Sequence, residues 1–306
     1  MIQDSLTSSF NMSVQVEFDG QSFLLELSQA SSIAIPMTFD SEQPNHFGAD
    51  KSQAKAIEGD DFVGDTRRGG SCNVQSISMV PHCNGTHTET VQHIVDQPVP
   101  VGDALTSSLT SCYVLSVTPV PASTTKETYH PNLVNADFVI TQKALEEQLS
   151  PADLDLMGAI AIRTLPNDSA KTSKVYGEDE QPPFFTTEAI EWLSQSNIHH
   201  LLVDFPSIDK MYDEGQLHNH HTFWNVPAGS HELTDTALVH RTITEMIFIN
   251  DDITDGLYWL NLQLPHFQLD AAPSRPVLYP LTDVSDFETD LDATLNRDEQ
   301  AGTDHE

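Results

Sequence analysis

Basic residues are scarce in this sequence. Only 13 lysines and arginines stand against 46 aspartates and glutamates, which gives a formal net charge of −33 at pH 7. Nucleic acids and anionic membrane surfaces are bound through a basic surface. The charge therefore argues against both as partners. Acidic residues spread along the whole chain are more typical of a heavily solvated surface than of a site for one cationic partner.

Cysteine and long apolar runs are also rare. The three cysteines, Cys72, Cys83 and Cys112, are an odd and sparse set, which argues against a disulfide framework. No apolar run approaches the length that a bilayer requires, and the first ten residues have neither the basic nor the apolar segment of a secretory signal. We therefore expect a cytoplasmic protein that does not bind membranes.

Short strands and a few helices account for most of the remaining pattern. Residues 13–27 predict a hairpin whose turn is Asp19-Gly20, a dipeptide suited to a type I′ turn. Helices are expected to begin after Thr141 and after Thr186, whose hydroxyl groups can cap them. Further strands are predicted at residues 76–80, 112–120, 136–140, 159–163, 200–205, 242–249, 256–264 and 277–279.

The order of these elements indicates an α/β fold. A strand, a helix and a second strand between residues 159 and 205 form a βαβ-like unit. Residues 242–249 and 256–264 are predicted as two strands joined across Asn250-Asp251-Asp252. We expect a single domain over residues 1–282, followed by an acidic tail, residues 283–306, whose composition predicts disorder.

The densest group of chemically reactive side chains lies in residues 81–93. If the chain is extended from Thr86 onward, alternate residues share a face, so that His87, Glu89 and His93 all point to one side. Imidazole nitrogen and carboxylate oxygen are suitable ligands for a divalent metal. The competing interpretation is a polar edge strand that carries surface histidines.

Two residues before this strand leave an alternative open. Cys83 joins the same face if the alternation continues, whereas His82 points the other way unless the Asn84-Gly85 pair forms a bulge. Either side chain could therefore be the first ligand of the site.

Two later segments add candidate ligands. Glu245 lies inside an apolar strand, where an unpaired carboxylate costs several kcal/mol unless a metal or a cation compensates it. An edge position, with Glu245 facing solvent, is the alternative. His220 belongs to a run of histidines in which His221 is the second candidate.

The run GTH-x-E-x-x-x-H at residues 85–93 resembles the signature of the cyclase family of metal-dependent hydrolases, H-x-G-T-H-x-D-x-P-x-H. This family includes bacterial kynurenine formamidase and isatin hydrolase. Residues 204–209 resemble its D-x-x-S-x-D segment, and His220 and Glu245 follow in the family order. The resemblance covers about residues 35–281.

The resemblance implies a fold and a set of roles. The fold would be a swivelling β/β/α domain with a mixed central sheet, flanking helices and, in this chain, an N-terminal hairpin. One or two zinc or manganese ions would be bound by His87 and Glu89, with Glu89 as a candidate bridge, and by His220 and Glu245. His93 would be the general acid/base near the metal. Family members usually assemble as dimers or larger, so a homodimer or homotetramer is expected.

Three departures from the family pattern set this chain apart. Glu89 replaces the family aspartate, Cys83 occupies the position of the first ligand with His82 before it, and Val91 replaces a proline. We predict a metal-dependent hydrolase of a small amide, formamide or cyclic amide or ester, arylformamidase-like in type. The alternatives are a metal-retaining small-molecule-binding protein with little turnover, and an acidic structural protein with surface histidines.

Two acidic and two basic residues outside the proposed ligand set have expected roles of their own. Asp204 and Asp209 either orient ligand histidines or cap the end of a strand. Arg67 and Arg68 are more consistent with a salt bridge within their loop than with a clamp for a substrate carboxylate.

Overall fold

The computed structural model describes residues 13–284. Its helices are α1 (Pro81–Asn84), α2 (Val101–Ala104), α3 (Gln142–Glu146), α4 (Pro151–Asp155), α5 (Thr187–Ser194) and α6 (His218–Phe223). Its strands are β1 (Ser13–Phe18), β2 (Gln21–Glu26), β3 (Ser31–Ser32), β4 (Gln53–Ala56), β5 (Glu58–Gly59), β6 (Phe62–Val63), β7 (Gln75–Ser78), β8 (His87–Glu89), β9 (Leu109–Val117), β10 (Val120–Pro121), β11 (Phe138–Ile140), β12 (Ala159–Thr164), β13 (Phe184–Phe185), β14 (His200–Val203), β15 (Thr242–Glu245), β16 (Gly256–Asn261), β17 (Ala271–Pro273) and β18 (Val277–Asp283).

One large sheet of 11 strands organises the fold. Its order is β1-β2-β18-β16-β9-β12-β14-β15-β8-β17, and β3 pairs with β18. The central strands β9, β12, β14 and β15 are parallel to one another, whereas the pairings on either side of them are antiparallel. The predicted mixed central sheet with flanking helices and an N-terminal hairpin is therefore confirmed.

Two hydrophobic cores cover the two faces of this sheet. Along β12, every residue of which is buried, Ile160 and Ile162 join one core together with Leu193 of α5. The alternate residues Ala159 and Ala161 join the other core. A strand buried on both faces reads as a continuous apolar run, which is why residues 159–163 could be recognised.

The local turn and cap predictions are also confirmed. β1 and β2 form the hairpin, and both Asp19 (φ 47°) and Gly20 (φ 74°) have the positive φ that a type I′ turn requires. The Thr141 side chain accepts a hydrogen bond from the backbone N–H of Ala144 at the start of α3. α5 begins in the same way after Thr186.

The strands β15 and β16 are shorter than predicted, and they do not pair with each other. The strand predicted at residues 242–249 ends at Glu245, because Met246 has a φ of 53° and interrupts the extended chain. β15 and β16 follow each other in sequence, yet β14, β12 and β9 separate them in the sheet. The chain between them therefore crosses three strands of the sheet. On its other side, β15 pairs with β8, the strand that carries His87 and Glu89.

Two predictions are not tested by the described residues. The predicted acidic tail lies outside the described residues from 285 onward, and the assignment of residues 1–282 to one domain stays a prediction. From residue 13 to residue 284, no helix is both long enough and apolar enough to span a bilayer.

Candidate metal centre

Three neighbouring strands bring the central side chains together. β8 lies between β15 and β17, and its register places Glu245 opposite His87. Directly opposed residues of an antiparallel pair have Cβ atoms about 4.5–5.5 Å apart, and residues two apart on one strand share a face. His87, Glu89 and Glu245 therefore converge, and all three are buried. β15 has a neighbour on each side, which rules out the solvated edge position for Glu245.

Two short turns, and not the alternation of a strand, place His82 and His93 at the site. The condition of an extended chain holds only as far as Glu89, where β8 ends, and a 3₁₀ turn, Val91–His93, follows, so that alternation does not place His93. His82 is carried by the helical turn α1, so no bulge at Asn84-Gly85 is needed to turn it towards the site. The rings of His82 and His93 are stacked, with centroids 4.6 Å apart.

His220 approaches the same carboxylates from α6. Both the backbone N–H and the ring Nδ1 of His220 donate hydrogen bonds to Asp209. The other ring nitrogen, Nε2, lies 2.9 Å from Glu89 Oε1 and 3.9 Å from Glu245 Oε1. A carboxylate bonded to one nitrogen of a histidine fixes its orientation and makes the other nitrogen a better ligand. Of the two candidates in this segment, His220 is the one that contacts Glu89.

The donor atoms form two groups that share Glu89, and within each group they lie within 4.8 Å of one another. The inner position consists of His87, Glu89 and Glu245, and the outer position consists of His82, Glu89 and His93. His87 Nε2 lies 3.5 Å from Glu245 Oε2, and His82 Nε2 lies 3.4 Å from Glu89 Oε2. Ligand atoms around a tetrahedral ion with bonds of about 2.1 Å are roughly 3.4 Å apart.

Unpaired buried atoms show that these residues fit a divalent metal. His87 Nδ1 lies 3.0 Å from the carbonyl oxygen of Gly85, a contact in which the nitrogen donates, so Nε2 keeps its lone pair. Neither this Nε2 nor Glu89 Oε2 has a hydrogen-bond partner among the described residues. A buried lone pair that faces carboxylates is costly unless a cation lies between them. Imidazole nitrogen and carboxylate oxygen are ligands that zinc and manganese accept.

The electrostatics of the site favour ionised carboxylates. Burial raises the pKa of Glu89, but the charges of His93 and His220 outweigh it and hold that pKa well below its usual range. Contacts with His82 and His93 likewise hold the pKa of Asp270 far below normal. The site therefore gathers negative charge in a region with little water, where a cation is strongly attracted.

Asp270 is a member of the site that the sequence did not reveal. Its Oδ2 lies 3.1 Å from His82 Nε2 and 3.2 Å from His93 Nδ1. It immediately precedes β17, a three-residue strand that contains Pro273 and has no recognisable strand pattern. The only signal available was an isolated aspartate among apolar residues.

Other predicted residues lie outside the two donor groups. Burial, together with the charge of Glu245, raises the pKa of the Cys83 thiol, which opposes the thiolate that a metal requires. Asp204 binds Lys171 and Thr164 and contacts no ligand histidine by any described hydrogen bond. Arg67 and Arg68 pair with acidic residues of their own segment, as the salt-bridge interpretation predicted.

Comparisons with solved structures find the same fold at low sequence identity. A potential metal-dependent hydrolase with cyclase activity is 15% identical, with a TM-score of 0.52 over 82% of this chain and 98% of that chain. Isatin hydrolase A from Ralstonia solanacearum is 16% identical, with a TM-score of 0.55 over 82% and 92%. Isatin hydrolase A from Labrenzia aggregata, bound to benzyl benzoate, is 16% identical, with a TM-score of 0.53 over 82% and 94%.

The family itself is established by a comparison with protein-family models. A search of curated proteins finds no match. The model of the Cyclase family, described as "Putative cyclase", matches residues 25–210, which is more than half of the chain and includes β8 with His87 and Glu89. This chain therefore belongs to the Cyclase family.

Proposed function

We propose that this protein is a metal-dependent hydrolase of a small amide, formamide or cyclic amide or ester. The observation that carries the proposal is the pair of buried, unpartnered ligand atoms, His87 Nε2 and Glu89 Oε2, at the centre of two donor groups. The ion would be zinc or manganese, one or two per chain. When bound, such an ion makes hydroxide available from water near neutral pH and polarises a carbonyl group.

The residues of the inner position, and His220 beside them, are held by their own neighbours. The backbone N–H of Ile208 donates to Glu245 Oε1 at 3.0 Å, which fixes that carboxylate. The Gly85 carbonyl fixes the ring of His87, and Asp209 fixes the ring of His220. We propose that His87, Glu89, His220 and Glu245 hold the metal, with Glu89 shared between two positions. Preorganisation of this kind limits the rearrangement needed when a metal binds.

His93 is proposed as the proton carrier and not as a metal ligand, although it belongs to the outer donor group. It lies on the rim of the site, about one quarter exposed, with Nδ1 3.8 Å from Glu89 Oε2. Histidine side chains commonly take up and release protons in catalysis, and His93 is placed at the rim of the site to do so. It would deliver a proton to the departing nitrogen or oxygen while the C–N or C–O bond breaks.

The amide and ester substrate class is supported by the family and by the solved structures of similar fold. Two of these are isatin hydrolases, and isatin carries a cyclic amide. Arylformamidase-like specificity and assembly into a homodimer or homotetramer remain part of the proposal.

A hydrolysis screen tests the proposed function. Protein stripped with a chelator, and then restored with zinc or manganese, is offered formamides, lactams and lactones. We expect at least one class to be hydrolysed by the restored protein only, and not by a restored Glu245→Gln variant. If the metal-loaded protein hydrolyses none of them, the hydrolase proposal fails for this substrate class.

One observation favours a second candidate function. Cys83 stands at the family's first ligand position but lies outside both donor groups, and its thiol has a raised pKa. A metal position that lacks this ligand could retain an ion and bind a small molecule with little turnover. In that case the same screen would show metal-dependent binding of a test compound, for example by calorimetry, without product.

A further inference from the structure

A single carboxylate oxygen contacts two histidines of the outer position. Asp270 Oδ2 lies 3.1 Å from His82 Nε2 and 3.2 Å from His93 Nδ1. The same two nitrogens face Glu89 Oε2, at 3.4 and 3.8 Å. Both rings therefore direct a nitrogen towards the region between Glu89 and Asp270. The side chain of Asp270 is 31% exposed, so it lies at the entrance and not in the core.

The backbone anchors this carboxylate to the strand that carries Glu89. The N–H of Thr90 donates to the carbonyl oxygen of Asp270 at 3.0 Å, and the Thr90 hydroxyl also donates to it. The next residue, Ala271, pairs with Glu89 in the β17–β8 register. Asp270 thus directly precedes a strand of the sheet, and the hydrogen bonds from Thr90 fix its backbone.

The two stacked rings are carried by short turns, and Asp270 contacts both of them. His82 and His93 lie face to face, with centroids 4.6 Å apart and planes at 25°. His82 comes from a four-residue helical turn and His93 from a three-residue 3₁₀ turn, both too short to be rigid by themselves. Asp209 holds His220 through Nδ1, while Nε2 of that ring faces Glu89. Asp270 differs, because it contacts the nitrogens of the two stacked rings that themselves face Glu89, and His82 Nε2 has no hydrogen-bond partner among the described residues. The Oδ2 atom of Asp270 therefore lies among the donor atoms of the outer position.

We propose that Asp270 is a ligand of the outer position, beside His82 and Glu89, that it also holds His93 through a hydrogen bond to Nδ1, and that the inner position does not depend on it. This inference rests on the proposed function, because it requires that the chain binds a divalent metal. It adds to the site a carboxylate that lies beyond the segment matched by the family model, which ends at residue 210.

Zinc titration of the apoprotein tests this role without a substrate. Zinc is the only probe, and its stoichiometry and dissociation constants are measured by competition with a chromophoric chelator. We expect the wild-type chain to bind two zinc ions. In Asp270→Asn, the ion that depends on Glu245 should keep its affinity, and the other should bind at least tenfold more weakly, because a neutral amide oxygen is a poorer ligand than a carboxylate.

Two further variants make the result specific. Asp103→Asn removes a carboxylate from an exposed histidine contact, Asp103 Oδ1 to His266 Nε2 at 2.8 Å, away from the donor groups, and should bind zinc like the wild type. Asp270→Glu restores the charge and should recover part of the lost affinity. Thermal unfolding of each variant is followed by circular dichroism.

The possible outcomes separate the two proposals. If the wild-type chain binds no zinc, the proposed function fails and the inference fails with it. If it binds zinc but Asp270→Asn shows wild-type stoichiometry and affinities, or if only one ion binds and is insensitive to Asp270, the inference alone fails. If both affinities fall together in Asp270→Asn, the substitution affects the whole fold and not the outer position in particular, which also overturns the inference.

Discussion

Glu89 is the residue on which both metal positions depend. One carboxylate oxygen lies 2.9 Å from His220 Nε2, and the other faces His82 and His93. The side chain is one methylene longer than the aspartate of the family pattern, which extends the reach of the carboxylate by about an ångström. His82 enters the site from one residue earlier than the family's first ligand. The longer side chain of Glu89 and the shifted histidine, His82, therefore meet at one atom, Glu89 Oε2.

Replacing Glu245 with glutamine tests the inner position. The variant keeps the size of the side chain, and its amide oxygen can still accept the N–H of Ile208, but the negative charge is lost. We expect zinc affinity to fall at least tenfold at this position, since a neutral amide oxygen is a poorer ligand than a carboxylate. Chelator competition measures the change. Glu188→Gln, which alters a carboxylate bonded to Thr128, is the control, and equal zinc affinity in the two variants would contradict the assignment.

Replacing His93 with alanine separates proton transfer from metal binding. If His93 carries the proton, the variant retains zinc at both positions, while turnover falls by about 10²–10⁴-fold. Elemental analysis and a rate measured on any substrate found in the screen provide the two readouts. Loss of the outer zinc ion in this variant would instead make His93 a ligand.

Side-chain identity predicted much of the site but could not complete it. His87 and Glu89 converge as the two-residue spacing required, and β15 brings Glu245 opposite His87. The stacking of His82 on His93 depends on two short turns that have no distinct sequence signal. Asp270 depends on a strand pairing across about 180 residues, which no local pattern contains.

At the scale of elements, apolar runs and caps were informative because their causes are local. β12 is a continuous apolar run, and α5 follows a threonine whose hydroxyl accepts a backbone N–H. The neighbours of β15 were not predictable in this way. Consecutive strands usually pair, yet β15 and β16 lie apart, and β15 pairs with β14 and β8.

The cap of α5 gives a stability prediction. Thr186 Oγ1 accepts the N–H of Ala189 and donates to Glu127 Oε2. Thr186→Ala removes both contacts and should lower the free energy of unfolding by about 1–2 kcal/mol. Urea unfolding provides the measurement, with Thr187→Ala, the first residue inside the helix, as a control expected to cost less. An equal loss in the two variants would show that the cap contributes nothing specific.

At the scale of the whole molecule, charge distribution links the surface to the site. The chain has 46 acidic residues and 13 basic ones, and several cations are used in buried or partly buried pairs, such as Lys171 with Asp204. Among residues 13–284, the carboxylates of Glu89, Glu245 and Asp270 pair with histidines and with no lysine or arginine. A bound divalent ion would supply positive charge, so metal binding is expected to stabilise the folded state.

A buried histidine far from the donor groups makes folding sensitive to pH. Burial, with a smaller effect of the His199 charge, lowers the pKa of His200 to about 4 from an ordinary 6.5. Between these values the unfolded chain takes up a proton that the folded chain does not, so stability falls as the pH decreases. The resulting loss is about 2 kcal/mol between pH 7 and pH 5. Urea unfolding at both pH values should show this loss reduced in His200→Gln, and an unchanged loss would contradict the assignment.

The measurement that tests the central claim most directly is the metal content of the purified, untagged protein, compared with that of His87→Ala. His87 Nε2 is the buried lone pair at the centre of the inner position. We predict near-stoichiometric zinc or manganese in the wild-type protein and its loss from the inner position in the variant. Absence of metal from both proteins, even after incubation with zinc and with manganese, would contradict the account.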